Sequence, residues 1–224
     1  MPFSRPPRLA VLISGRGRNL QALLEALRDG RIAATAAIVI SNHEDAGGLA
    51  HARDAGVATE VVSHRAFADR TAFDAELARV LRYSRPDIVA LAGFMRVLGD
   101  AFVREFEGRM LNIHPSLLPK HPGLHTHKRA LAAGDREHGA TVHFVTSQLD
   151  GGPRVIQGRF SVNPEDDAEH LARRTLEEVE LKIYPQAVAW MARGELELRD
   201  GCAWLHGSRL DEPCGLNDLE AGFR

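Results

Sequence analysis

The sequence predicts an α/β fold: a single Rossmann-like domain, with a mostly parallel sheet, helices on both faces and a C-terminal hairpin. Three observations predict it. Runs within Leu9–Ser14, Ala36–Ser41 and Asp87–Ala92 are apolar and strand-length without alternation, as strands covered on both faces are. Between them lie helical spacings, Leu20, Leu23, Leu24 and Leu27, then Phe73, Leu77, Val80 and Leu81. The connections are short, and strands alternating with helices in this way build parallel sheets.

Each element follows in order. The first strand ends at glycine and passes through Ser14-Gly15-Arg16-Gly17-Arg18-Asn19 into a helix closed by Gly30. A helix near Gly48 to Asp54 and a short strand near Thr59 to Val62 follow the second strand. The third helix, Asp69 to Arg82, breaks before Pro86. After the fourth strand, Phe94-Met95-Arg96-Val97-Leu98 is too apolar for an ordinary solvent loop, and a helix runs from Asp100 to about Phe106. Leu111 to His114 is a strand stopped by Pro115, with Pro119 keeping the next segment from becoming a helix. A helix over His125–Ala133, strands over Ala140–Thr146 and Val155–Val162, and the turn Gln148-Leu149-Asp150-Gly151-Gly152-Pro153 come next. Asp166 to Met191 has a long helical pattern that Pro185 should kink or interrupt. Glu195–Leu198 and Cys202–Leu205 around Arg199-Asp200-Gly201 read as a terminal hairpin. With no repeat or linker, residues 1–224 read as one domain with a core at about 8–206 and a poorly ordered last dozen residues.

The 224 residues are 44% apolar and 26% charged, ordinary for a globular chain with a full-sized core. Net charge is −2 from 28 basic and 30 acidic residues, so no global field recommends nucleic acid or a membrane as partner. Cys202 and Cys214 form no C-x-x-C pair or disulfide framework, which favours a reducing compartment. The stretch Met1 to Arg8 lacks a signal-peptide core, and no run approaches the roughly 18 apolar residues of a membrane span. A cytoplasmic location is expected.

Three groups of residues could carry chemistry. In Ser14-Gly15-Arg16-Gly17-Arg18-Asn19-Leu20, glycines allow close backbone approach, and a helix N-terminus attracts phosphate. The third glycine of a dinucleotide loop and the Walker lysine are both missing, so the alternatives are a small phosphate site or a plain tight turn. In the second group, Asn112 and His114 share one face of their strand while Leu111 and Ile113 share the other. Asp150, in a glycine-bounded loop after the next strand, could join them if both loops open on the same sheet edge; Asp-Gly is equally a common turn dipeptide. The third group is His114, His121, His125, His127, His138 and His143. It has no cysteine and no His-Glu-x-x-His spacing, so packing or an anion pocket is favoured over a metal.

These residues form a recognisable set. Ser14-Gly15-x-Gly17-x-Asn19-Leu20, Leu91-Ala92-Gly93-Phe94-Met95-Arg96, Asn112-Ile113-His114-Pro115-Ser116-Leu117-Leu118-Pro119, Pro122-Gly123-Leu124-His125-Thr126-His127 and Gln148 to Pro153 occur in order. Together they closely resemble the folate-dependent phosphoribosylglycinamide formyltransferase family of purine biosynthesis, from about Leu9 to Leu205.

The resemblance implies transfer of a formyl group from 10-formyltetrahydrofolate, as co-substrate and without a metal, to the amine of glycinamide ribonucleotide through a tetrahedral intermediate. It implies that Asn112 donates to the developing oxyanion, that His114 stabilises the same oxygen and protonates the leaving nitrogen, and that Asp150 raises the histidine's pKa and accepts a proton. Gly17, Arg18, Asn19 and Glu180 would hold the ribonucleotide. Folate would lie against Arg70, Met95, Arg96, Val97, Leu98, Asn112, Thr146, Ser147, Gln148, Leu149 and Asp150; without the resemblance, Met95, Val97 and Leu98 would read as core. Partners are then small molecules, with a monomer or homodimer expected. Arg18 and Arg154 depart from the pattern, standing where a small and an apolar residue are common. Alternatives are a formyltetrahydrofolate hydrolase, which carries an extra N-terminal domain, and a non-catalytic nucleotide-binding protein, which leaves Asn112, His114 and Asp150 unexplained. A tRNA-directed formyltransferase would carry a further C-terminal domain and a basic surplus.

Overall fold

The structure is a computed structural model that describes residues 3–224; Met1 and Pro2, part of the stretch read for a signal peptide, lie outside the described residues. Its first half runs β1 (Arg8–Ile13), α1 (Arg18–Arg28), β2 (Thr35–Ser41), α2 (Gly48–Asp54), β3 (Thr59–Val61), α3 (Arg70–Ser84), β4 (Ile88–Leu91) and α4 (Asp100–Glu105). Then come β5 (Met110–His114), α5 (Thr126–Ala132), β6 (Glu137–Phe144), β7 (Arg154–Ser161), α6 (Ala168–Arg174) and α7 (Leu181–Ala192). Seven strands form one sheet in the order β3-β2-β1-β4-β5-β6-β7. The pairings from β3 through β5 are parallel, whereas β6 is antiparallel to both its neighbours.

Strand alternation divides the core in two. Leu9, Val11 and Ile13 of β1 pack with α1, α2 and α7 on one face, while Ala10 and Leu12 pack with α3 and α4 on the other. This is why β1 reads as an unbroken apolar run. In β5 the same rule sends Leu111 and Ile113 to the α7 side and Met110 to the α3–α4 side. Asn112 and His114 therefore continue the face of Met110.

Three expectations are corrected by packing. Pro185 does not interrupt its helix: it lies inside α7, and the irregularity is a π-helical turn upstream at Thr175–Glu180. A proline clashes with the carbonyl four residues back, here Leu181, and a widened turn immediately before that residue accommodates the displaced backbone. The last dozen residues are packed rather than loose. Leu219 and Phe223 enter the core, Cys214 bridges to Ile156 at the free edge of β7, and Trp190 donates to Glu220 at 2.9 Å. No periodic run in the tail announces this, because isolated apolar residues gain their partners only from the folded sheet and α7. The third concerns β6: being antiparallel to β5, it ends opposite Leu111, so the loop bearing Asp150 does not open on the edge where His114 lies. It starts at the far end of β5 and folds back over the sheet face.

The terminal hairpin is present as β8 (Leu196–Arg199) and β9 (Cys202–Leu205), joined at Asp200-Gly201 with φ of 51 and 70°, and is extended by β10 (Ser208–Arg209). Tyr184 of α7 is fully buried, and its hydroxyl faces the carbonyls of Leu91 (2.9 Å) and Leu111 (3.0 Å). It thus fixes the long helix to the two strands that border the pocket described below. Tyr184→Phe should cost about 1–2 kcal/mol, because both carbonyls stay buried without the hydroxyl; urea unfolding should show a lower midpoint at unchanged slope.

Candidate active site

Asn112 lines a pocket beyond the end of α4 on its side of the sheet, and His114 is buried next to it on the same strand face. Its apolar wall is Leu91, Phe94, Leu98, Val103 and Val145. Arg96, Val97, Thr146, Ser147, Gln148, Leu149 and Asp150 complete the lining with Asn112 and His143. The structure thus gathers nearly all the residues expected around folate. Met95 and Arg70 fall outside that lining: Met95 is exposed at the mouth, and Arg70 lies on a groove between α3 and α4. Met95 and Val97 are 62% and 52% exposed, so neither is core, whereas Leu98 is buried.

The polar groups converge at the floor. His114 Nε2 donates to the His121 carbonyl at 2.9 Å, so in the neutral ring Nδ1 is the bare nitrogen, and it lies 3.4 Å from Asp150 Oδ2. Asp150, held with φ 50°, also accepts from the Gly123 amide at 2.7 Å. His143 Nδ1 donates to the Phe144 carbonyl at 2.9 Å, which leaves Nε2 to accept from the Asn112 amide at 3.1 Å. One Asn112 N–H is committed to that bond, and the other remains to donate into the pocket.

Burial lowers the His114 pKa below the usual imidazole value, outweighing the His121 carbonyl and Asp150, which both pull it up. The expectation that the carboxylate would raise it overall is therefore corrected: the carboxylate acts in the expected direction, but desolvation is larger. Burial works to raise Asp150, yet His143, the Gly123 amide and the His114 charge together hold its carboxyl below the usual value. An amide donor and an ionised carboxylate in one pocket, with a depressed imidazole in contact with the carboxylate, suit attack on a carbonyl carbon with proton transfer.

A second cluster sits at the switch point, where β1 has β2 on one side and β4 on the other. Gly17 begins α1 with φ 76°, and a Cβ there would lie 2.5 Å from Gly48 Cα, so only glycine fits. Asn19 donates to Glu180 Oε2 at 2.6 Å, and burial pushes the Glu180 carboxyl up. Asn19 Oδ1 is buried without a partner. Arg18 is exposed and lines a separate depression with Arg16, His170 and Arg173. Ser14 Oγ accepts from the Met95 amide at 2.7 Å, tying this loop to the pocket loop.

Sequence reasoning missed Gly123 as a member of the site and gave His143 only as one of six clustered histidines, without its pairing to Asn112. The alternation of Thr141 and His143 was visible, but only the register of β6 against β5 sets His143 opposite Asn112. Gly123 is reached through a 27-residue separation that no local pattern encodes. Of the other histidines in the group, His121 pairs with Asp135 at 2.6 Å and His127 with His138 at 2.9 Å. Among the described residues no three His, Cys, Asp or Glu side chains form a metal-binding group.

Fold and pocket together are those of an α/β enzyme built for acyl transfer. The formyl transferase family profile matches residues 7–188. The phosphoribosylglycinamide formyltransferase of Escherichia coli (strain K12) is 49% identical over 202 residues, 90% of this chain and 95% of that protein. The trifunctional purine biosynthetic protein adenosine-3 of Drosophila melanogaster is 49% identical over 87% of this chain, which spans 14% of that protein. The structure of the phosphoribosylglycinamide formyltransferase from Coxiella burnetii in complex with CHES superposes with a TM-score of 0.89 at 45% identity, covering 94% of this chain and 99% of that one. The chain belongs to the phosphoribosylglycinamide formyltransferase family.

The histidine pair generates a stability prediction. Burial lowers the His138 pKa from 6.5 to about 4, with His127 and His121 adding to the effect and Asp135 opposing it. The unfolded chain takes up that proton more readily, so the contribution is full above pH 6.5 and lost as pH falls through 4. It amounts to about 3 kcal/mol. Unfolding midpoints should fall over this window, and His138→Gln should flatten the slope.

Proposed function

We propose that the protein transfers the formyl group of 10-formyltetrahydrofolate to the amine of glycinamide ribonucleotide in de novo purine biosynthesis, as a single domain. The observation that carries this reading is that Asn112 and Asp150 line one apolar-walled pocket, with His114 buried behind it 3.4 Å from Asp150, beside a glycine loop. The residues fit the folate co-substrate. A flat ring suits the wall of Leu91, Phe94, Leu98 and Val145, and Arg96 Nε is buried in that lining without a partner. Met95 and Val97 would cover the mouth, with Arg70 reaching the benzoylglutamate end; Thr146 to Asp150 supply the opposite side.

The free Asn112 N–H donates to the formyl oxygen as the carbon becomes tetrahedral; one such donor contributes about 3–4 kcal/mol. His114, when protonated, is a stronger acid than free imidazole because burial disfavours its charge, which suits giving a proton to the leaving folate nitrogen. Asp150, ionised at neutral pH, holds that charge and takes up the amine proton. Gly17, Arg18 and Asn19 at the start of α1 bind the ribonucleotide phosphate, and Glu180 meets its glycinamide or ribose end near the unpartnered Asn19 Oδ1. The reading includes small-molecule partners, a monomer or homodimer, and a cytoplasmic location. Two free thiols support that location; separately, no helix of the described residues is long and apolar enough to cross a membrane.

Formylated ribonucleotide should accumulate when both substrates are supplied; folate consumed equally fast without the ribonucleotide would overturn the reading in favour of hydrolysis. Asp150→Asn keeps the shape and removes the charge, so kcat should fall about 10²–10⁴-fold with the fold intact. Near-normal turnover at neutral pH would remove Asp150 from its role.

A further inference from the structure

The loops carrying His114 and Asp150 are tied together by a residue outside the pocket. Arg154 opens β7, four positions after Asp150, and its Nη1 donates to the Leu118 carbonyl at 3.0 Å. Leu118 lies four positions after His114 on the loop that returns to it. Gln157 Nε2 donates to the same oxygen at 3.0 Å, and the Leu118 amide donates to Thr141 Oγ1 at 3.1 Å. Thr141 Oγ1 in turn donates to the Ser116 carbonyl at 2.7 Å. The middle of the loop is therefore gripped from β6 and β7.

The far end of this loop touches the reactive groups. The His121 carbonyl accepts from His114 Nε2, and the Gly123 amide donates to Asp150 Oδ2. Any shift of the loop moves both the imidazole's acceptor and the carboxylate's donor. Of the two side chains holding Leu118, Gln157 is neutral, whereas Arg154 makes a charge-assisted bond, the stronger kind. The exposed Glu212 carboxylate lies 3.7 Å from Arg154 Nη2, the guanidinium nitrogen that does not bond Leu118.

Resting on the formyl-transfer reading, we propose that Arg154 is a positioning residue: by cross-tying the loop after His114 to the strand after Asp150, it sets the 3.4 Å spacing of imidazole and carboxylate. It touches no reacting atom. Its effect is on the orientation of His114 and Asp150, and so on kcat and on the protonation of His114 rather than on substrate affinity.

The test compares Arg154→Leu, Arg154→Lys and the wild-type chain by steady-state kinetics across pH and by NMR titration of the His114 imidazole without substrates. Arg154→Leu should lower kcat about ten- to hundred-fold with little change in either KM, as misplacement of reacting groups does. Its His114 should titrate at lower pH than in wild type, because the imidazolium loses well-placed acceptors. Arg154→Lys, which can still donate to Leu118, should restore much of both. Should Arg154→Leu fail to fold, Arg154→Gln provides the same readouts. Unchanged kcat and unchanged His114 titration overturn the proposal. So does a lower melting temperature with both unchanged, which marks a merely structural contact. Lack of formyl transfer by the wild-type chain would sink the functional reading instead, while the titration still decides whether Arg154 positions His114.

Discussion

Leu111 and Ile113 must be buried, and that requirement decides where the chemistry faces. Both side chains enter the core on the α7 side, where Tyr184 also reaches the carbonyls of Leu91 and Leu111. A strand cannot turn one side chain without turning its neighbours. Asn112 and His114 are thus fixed on the opposite face by apolar groups that take no part in the reaction. The pocket exists because α3 and α4 pack on that face against Met110 and stop short of Asn112, which lines the space left beside them.

The same burial sets the electrostatics. Desolvation lowers the His114 pKa, and only the His121 carbonyl and Asp150 keep its charged form within reach. Asp150 remains ionised because three neighbours offset the desolvation that opposes its charge. Two groups 3.4 Å apart are driven toward neutral imidazole and charged carboxylate, so two proton acceptors stand side by side. Such a balance depends on distances of a few ångströms across two long loops. Those loops are fixed by hydrogen bonds from Gly123, Gln157 and Arg154 rather than by their own secondary structure.

The fold was legible almost throughout. The strands and helices up to Glu105 stand within a few residues of their expected limits, because buried parallel strands and amphipathic helices leave strong periodic signals. The failures share a cause. The direction of β6, the packing of Leu219 and Phe223, and the position of the irregular turn before Pro185 all depend on what lies across the fold. None is encoded in a local period.

For the candidate site the division is similar. The sequence by itself determined that Asn112 and His114 share a face, that the glycine loop through Asn19 leads into a helix, and that a carboxylate sits in a turn at Asp150, since each follows from backbone period or conformation over a few residues. Its motifs also sufficed to indicate the family. Only the tertiary structure decided that the Asp150 loop folds back over β5, that His143 holds the Asn112 amide, and that burial outweighs the carboxylate in setting the His114 proton. These are relations between groups distant in the chain, and their sign depends on distance and solvent exclusion, which a one-dimensional pattern does not carry.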